Sequence, residues 1–327
     1  MPIPNDPHNR FWVDVSSVNP TIVDGLRPSL VAFLAFDHGH LPSLAGTGFV
    51  IGNAPDLAIA ITAKHVLTEG VLRIQRPMSG HAPSALFVHD YLKKPSIDEA
   101  KLRAIWMGSE SADLLFTRHI SYNDTLDIAC CIFAPQENCL PRFEPTIIPL
   151  DTTRPSVGDV VHMVSQDGLA IPDYSPATDI TGKGETFSIQ RRVSIRVGTV
   201  TAIYLQGFRQ YRWPCFTTSI PAEPGMSGGF VYIPRDGETI AACGIICADN
   251  SPPAARTDYS RCGESVIACA WPTLCLTVPE YATSDSPMRT LYDMMQAGHL
   301  TTAIGGIDHI HVIDLGNGES QIVYGDA

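Results

Sequence analysis

The segment Glu223-Pro-Gly-Met-Ser-Gly-Gly229 sets three glycines around one serine. Glycine reaches backbone conformations closed to other residues and lets another chain approach, so the stretch can form a tight turn that presents Ser227. Read blandly, it is a surface turn, since glycine and serine mark turns everywhere. Read chemically, it offers a serine nucleophile whose neighbouring amides, those of Gly225 and Ser227, point at one spot and can hold an oxyanion. Upstream, the apolar run Leu57–Thr62 leads at once to Ala63-Lys64-His65, and Asp127 opens the apolar run that ends at Phe133. A lone histidine at a strand end, or a lone aspartate at a strand entry, more often has no special role. A buried carboxylate needs a partner, however, and an imidazolium is a suitable one. Together the three residue types form a nucleophilic set. Histidine titrates near neutrality and can take and return a serine proton, while aspartate fixes the imidazole tautomer and stabilises its charged form.

Positioning such a set calls for a rigid frame, and the sequence predicts an all-β one. Glycine and proline number 26 each and punctuate short runs rich in β-branched and apolar residues. These runs are Leu30–Phe36, Gly48–Ile51, Leu57–Thr62, Asp127–Phe133, Val160–Val164, Arg192–Val200, Gly229–Ile233, Ala241–Cys247 and Val266–Trp271. Many short strands between turn residues indicate a barrel or sandwich, and the absence of alternating strand–helix units argues against a doubly wound sheet. Helices are few. Ser96-Ile-Asp-Glu99 can cap a short helix, although the stretch to Trp106 also reads as a strand. A later helix is expected to start at Ser286-Pro287, to bury Leu291, Met294 and Met295, and to stop at Gly298. A break between two units is expected near Pro149–Pro155.

Composition narrows the function. The 327 residues carry a formal charge of −12, which repels phosphate backbones and argues against nucleic acid as a partner. Hydrophobic residues make up 44% and charged ones 17%, a globular balance that supports a sizeable core. Nine cysteines occur without framework spacing and without a C-x-x-C pair, so neither a disulfide scaffold nor a structural zinc site is expected. Free thiols fit a reducing compartment. MPIPNDPHNR has no apolar core of a signal peptide, and no apolar run approaches membrane-spanning length, so a cytoplasmic protein without membrane attachment is expected.

The order His65, Asp127, Ser227 is that of the chymotrypsin arrangement, which differs from the orders in subtilisin and the α/β-hydrolases. With Gly46-Thr-Gly-Phe-Val-Ile51, Thr62-Ala-Lys-His65, Leu126-Asp-Ile-Ala129, Val157-Gly-Asp-Val160, Pro224-Gly-Met-Ser-Gly-Gly229, Gly244-Ile-Ile246 and Ala268-Cys-Ala-Trp-Pro272, the chain resembles the chymotrypsin-like serine proteases. More narrowly it looks like the bacterial trypsin-like peptidases related to HtrA. The resemblance covers about residues 30 to 280. It implies two six-stranded antiparallel β-barrels with the site between them. Residues 1–29 would form an arm, 30–150 the first barrel with His65 and Asp127, 151–280 the second barrel with Ser227, and 281–327 a C-terminal helix and extension.

The departures from the family pattern matter as well. Met226 stands before the serine where digestive members carry an aspartate that pairs with a freed N-terminal ammonium, so activation by N-terminal insertion is not expected. Phe230 replaces the usual proline. The long stretch from His65 to Asp127 implies that residues 75–120 include an insertion at the cleft rim. The C-terminal segment is too short for a PDZ domain. By resemblance, the substrate pocket has its floor at Pro221 and Ala222 and walls at Cys247, Ala248 and Asp249 and at Ala268–Ala270, which favours a small or medium apolar P1 side chain.

Other polar residues read more plainly. His309 and His311 alternate on a strand and share a face, a weak metal-ligand pair without a third member. His38 and His40 lie in a turn, and Asp24, Asp124 and Asp159 are turn or strand-end acids, with Asp124 a distant alternative to Asp127. The expected function is that of an intracellular serine endopeptidase without metal or organic cofactor, acting on protein or peptide substrates and restrained by a narrow target or a regulatory partner protein. The alternatives are a protease-fold binding module that has lost activity and a chaperone-like assembly. The cysteine pattern gives a first testable outcome. Alkylation under denaturing conditions, read by mass spectrometry, should find all nine thiols free, and a reproducible intramolecular disulfide would overturn the compartment argument.

Overall fold

The structure, a computed structural model, describes residues 3, 11–37, 39–54, 57–75, 97–108, 112–122, 125–135, 143–175, 186–235, 237, 239–250, 263–280, 286–300, 303–305, 307–316 and 319–325. After a short N-terminal strand β1 (Val13–Asp14), a helix Pro20–Leu26 is capped by Asn19, whose side chain accepts from the amide of Ile22. Six strands then build the first barrel: β2 (Leu30–Phe36), β3 (Pro42–Ala54), β4 (Leu57–Thr62), β5 (Leu102–Met107), β6 (Ala112–Tyr122) and β7 (Ala129–Pro135). Each neighbour pair is antiparallel and the ring closes in the order β2-β3-β4-β7-β6-β5. Buried on both faces, β2 and β7 read as unbroken apolar runs, LVAFLAF and ACCIFAP. Phe33 and Phe133 meet edge to face at 5.6 Å inside this barrel.

The linker carries a two-residue strand β8 (Leu150–Asp151), and the second barrel follows. Its strands are β9 (Val160–Ser175), β10 (Thr186–Tyr204), β11 (Cys215–Thr218), β12 (Phe230–Tyr232), β13 (Gly244–Asp249) and β14 (Ser265–Cys269). The order β10-β11-β14-β13-β12-β9 is closed by the long β9–β10 hairpin, so this ring too has six antiparallel strands. The fold is thus the two-barrel, chymotrypsin-like architecture that the resemblance implied. β1 adds to the outside of the second ring, pairing Val13 with Val197 and Asp14 with Arg196.

Beyond the barrels, β15 (Thr277–Pro279) pairs with β16 (Met288–Thr290), and β17 (Ala303–Ile304) lies parallel to β8. A hairpin of β18 (Ile310–Gly316) and β19 (Glu319–Tyr324) follows. Among the described residues, no helix is long and apolar enough to cross a membrane.

Several local expectations are corrected. The late helix spans Leu291–Gln296, not a start at Ser286-Pro287, because Thr290 and Asp293 form a reciprocal capping box and residues 288–290 pair as a strand instead. Leu291 and Met294 are buried as expected, and Gly298 ends the helix with a positive φ of 75°. Asp98, rather than Ser96, caps a single 3-10 turn at Glu99–Lys101. His309 closes the 3-10 turn Ile307–His309 and stacks on Tyr324, so it does not share a strand with His311. Within residues 75–120, β5 and β6 belong to the barrel itself, while 76–96 fall outside the described residues. His38 and Asp124 also fall outside them. His40 sits in a turn at φ 59°, Asp24 pairs with Arg27 at 2.7 Å, and Asp159 accepts from the amide of Ser156 at 2.7 Å.

The two barrels share one continuous core. Phe49 of β3 and Phe230 of β12 are both fully buried, with ring centroids 5.2 Å apart. Truncating such a ring removes its transfer free energy and leaves a cavity between two closed rings that cannot collapse. Phe49→Ala should therefore cost about 3–5 kcal/mol in urea unfolding. A change below 1 kcal/mol would mean that the barrels are not packed through this pair.

Candidate active site

β4 ends at Thr62, and the chain turns through Ala63 into a helical segment whose first residues include Lys64 and His65. From the other side, Asp127 lies in the turn just before β7, and β7 pairs with β4 from Ala129, opposite Thr62, to Phe133. Two adjacent strands thus deliver a histidine and an aspartate at one end of the first barrel. The Asp127 carboxylate accepts twice from the same residue: Oδ1 from the backbone amide of His65 at 2.9 Å, and Oδ2 from the ring Nδ1 at 2.8 Å. A carboxylate only accepts, so this pair fixes the neutral imidazole with its proton on Nδ1 and leaves Nε2 as the basic atom. Asp127 is buried and His65 half-buried.

Ser227 comes from the second barrel. The turn that holds it is pressed against the first barrel through Thr47, a fully buried residue. The amide of Thr47 donates to the Ser227 carbonyl at 3.0 Å, and its hydroxyl donates to the Gly225 carbonyl at 2.8 Å. Gly228, at φ 86°, fits so closely that a Cβ there would collide with the Thr47 carbonyl and the Thr62 hydroxyl and lie 3.1 Å from the amide of Ala63. The serine turn therefore touches the very strand end that leads to His65. The Ser227 hydroxyl donates to the Cys247 carbonyl at 3.4 Å. Cys247 in turn reaches the carbonyl of Asp127 through its thiol at 3.7 Å.

The amides of this turn divide into two sets. Those of Met226, Gly228 and Gly229 donate to the carbonyls of Glu223, Ile246 and Met226 at 3.1, 2.8 and 3.0 Å. Among the described residues, the amides of Gly225 and Ser227 donate to no acceptor. Gly225 adopts φ 93°, a conformation that favours glycine and that lets two non-adjacent amides of one tight turn remain unused.

A cleft of about 510 Å³ opens beside these groups, lined by His65, Asp127, Tyr211, Trp213, Cys247 and Ala248, with Lys64, Thr68 and Glu69 at its first-barrel edge. Burial pulls the His65 pKa down. The hydrogen bond and charge of Asp127, with a further push from Glu69, outweigh it and hold the imidazole above its ordinary 6.5. Cys247 is a neighbour and not a competing nucleophile, because burial and the Asp127 charge push its thiol far above the usual range.

The other expected pocket residues separate. Pro221 and Ala222 are buried beneath the turn, and Gly263 abuts the Pro221 ring. Cys247, Ala248 and Asp249 lie at the end of β13 whose β14 partners are Val266 and Ser265. Ala270 lies beyond the opposite end, where Gly244 pairs with Cys269 and the Ala270 amide donates to Cys243. It is therefore not the cross-strand neighbour of Ala248 and Asp249. Thr47 and Arg196 are the residues that the sequence reading passed over. Thr47 stood inside the quoted Gly46-Thr-Gly48 motif, whereas Arg196 falls on the polar phase of the alternation Val193-Ser-Ile-Arg-Val197, which reads as a solvent-facing position and gives no signal of burial.

No protein-family model matches the chain, and no curated protein matches it. Among solved structures, it is similar to Rv3671c from M. tuberculosis H37Rv in an inactive form that carries a serine-to-alanine substitution, at 15% identity, covering 83% of this chain and 90% of that one with a TM-score of 0.39. It is also similar to the active form of the Rv3671c protease from M. tuberculosis, at 16% identity, covering 78% and 82% with a TM-score of 0.38.

The His65–Asp127 geometry is testable without reference to any activity. The imidazole should titrate above 6.5 by NMR. Asp127→Asn removes the charge while keeping the shape, which leaves burial to pull the pKa down, so the midpoint should fall below that of the wild type. An unchanged midpoint in the variant would show that the carboxylate does not act on the ring.

Proposed function

We propose that the chain is a serine endopeptidase that cleaves peptide bonds through Ser227, His65 and Asp127. The observation that carries this reading is the His65–Asp127 pair standing at the cleft beside a serine turn with two unused amides. Attack requires the Ser227 hydroxyl to leave the Cys247 carbonyl and turn, by rotation about its Cα–Cβ bond, toward His65 Nε2. The imidazole then takes the proton as the Oγ–carbon bond forms, and Asp127 stabilises the resulting imidazolium through Nδ1. The carbonyl oxygen, now an anion, receives the amides of Gly225 and Ser227. His65 returns its proton to the leaving amine, and the acyl-enzyme is hydrolysed by water activated in the same way.

Pro221 and Ala222 put no acid at the floor, and with Cys247 and Ala248 on the wall they favour a small apolar P1 side chain, while Asp249 at the end of β13 is the one acid at the rim. Buried thiols support the cytoplasmic placement: Cys130, Cys131, Cys215, Cys243, Cys247 and Cys269 are buried and free. An enzyme of this kind inside a cell is restrained by a narrow target or by a regulatory protein partner.

Labelling with a fluorophosphonate probe tests the assignment. Wild type should react, and Ser227→Ala should lose both labelling and peptide cleavage, with kcat lower by on the order of 10⁴-fold or more while the near-UV spectrum stays native. The profile of kcat/KM against pH should rise through the raised pKa of His65, because only the neutral imidazole can accept the proton. Retained labelling in Ser227→Ala would place the nucleophile elsewhere, and a wild type inert to probe and peptide would leave a binding module.

A further inference from the structure

The serine turn needs an ordering device, and Met226 cannot supply an ionic one. Its fully buried thioether accepts from the amide of Glu223 at 3.2 Å, a weak hold on the segment that carries the Gly225 amide. The strong hold comes from β10. Arg196 is only 2% exposed, one of the most buried large side chains in the chain. Its guanidinium donates to Glu223 Oε1 at 2.8 Å and to the Pro221 carbonyl at 3.2 Å, with Nε donating to Ser194 at 3.3 Å. Asp167 lies 3.6 Å from it and is held independently by Arg192 through two bonds of 2.8 and 2.6 Å. A buried guanidinium that loses its acceptors is strongly destabilised, so Arg196 forces residues 221–223 to stay where they are. Two residues further on, the Pro224–Gly225 peptide carries one of the two unused amides. On its far side Gly225 is fixed by Thr47, so Arg196 and Thr47 pin the loop from both ends.

The N-terminal arm completes the device. The Trp12 ring lies 5.1 Å from the Arg196 guanidinium, and β1 pairs with the same strand at Arg196 itself. The Ser219 hydroxyl donates to the Phe11 carbonyl at 2.5 Å, which anchors the arm beside the turn that starts the loop. A stacked aromatic excludes water and strengthens the ion pairs beneath it.

We infer that Arg196, covered by the Trp12–Asp14 arm, is a positioning residue that holds the Pro224–Gly225 peptide with its N–H toward the developing oxyanion. This rests on the peptidase reading given above.

The test compares wild type with Arg196→Met, Arg196→Lys, Glu223→Gln and Trp12→Ala, using peptide hydrolysis and binding of a peptidyl aldehyde with alanine at P1. The aldehyde reports the oxyanion site. Ser227 Oγ bonds to the carbonyl carbon, the π pair moves onto oxygen, and the serine proton passes to His65. Arg196→Met should lower kcat on the order of 10- to 100-fold with little change in KM, and weaken aldehyde binding by a similar factor. Arg196→Lys, which keeps a charge for Glu223, should recover part of the loss, and Trp12→Ala should lose several-fold. The acidic midpoint of kcat/KM should stay at its wild-type pH in every variant, since the His65–Asp127 pair is untouched. Hydrolysis and aldehyde binding within twofold of wild type in Arg196→Met would overturn the inference. So would a loss accompanied by a moved acidic midpoint. If Arg196→Met does not fold, Glu223→Gln decides by the same readouts. A wild type that neither cleaves peptides nor binds the aldehyde overturns the peptidase reading itself, before any variant is compared.

Discussion

One buried threonine fixes the distance on which the site depends. Thr47 belongs to the first barrel, yet its amide and hydroxyl both end on the serine turn of the second, at the carbonyls of Ser227 and Gly225. The contact works only because its neighbours have no side chains. A Cβ on Gly46 would lie 2.8 Å from a Val66 methyl and 3.3 Å from the Ser227 carbonyl, and one on Gly48 would enter the Phe33 ring at 2.6 Å. At this contact the barrels approach to backbone distance. This precision is what the proposed proton transfer between Ser227 and His65, carried by different barrels, demands, since errors of an ångström are costly.

The same principle, buried polar groups satisfied by fixed partners, recurs around the site. Asp127 is satisfied by the backbone and ring of one residue, and its own carbonyl receives the Cys247 thiol from the second barrel. Arg196 and Arg192 share Asp167 and so fill the space behind the loop with compensated charge. Such groups are expensive to bury and tolerate few arrangements, so they specify one geometry more sharply than apolar packing does.

Much of this was legible in the residues. The strand runs of the sequence all appear as strands; they indicated a barrel or sandwich, and the two-barrel frame was what the resemblance implied. His65, Asp127 and the turn of Ser227 meet because motifs at strand ends are local: each needs only a few residues to declare itself. What escaped was non-local. Nothing in the string Val193-Ser-Ile-Arg196 says that the guanidinium reaches Glu223, and which β14 residues lie beside Ala248 and Asp249 depends on a strand register that only cross-strand hydrogen bonds determine. The late helix slipped because Ser286-Pro287 and Thr290-Asp293 are both good starts, and pairing with β15 decided between them. His309 was misassigned for a similar reason, as a stacking partner fifteen residues away in β19 holds it in a turn.

The parallel pairing of β17 with β8 has a consequence for the order in which the molecule can be completed. Thr152 of the linker donates to the carbonyl of Gly305 across 153 residues of sequence, and Ser219 reaches back 208 residues to Phe11. The first barrel needs nothing beyond Pro135 to close its ring. The arm has to wait for Ser219, a delay of roughly 10–40 s at ribosomal rates of about 5–20 residues per second. For the last 84 residues of that stretch, about 4–17 s at those rates, a closed first barrel bears His65 and Asp127 while Ser219 is still to be made. Contacts of such long range slow folding, because loop entropy is lost before they form. Here the proposed site cannot come together until the chain has been made as far as Ser227, about two-thirds of its length.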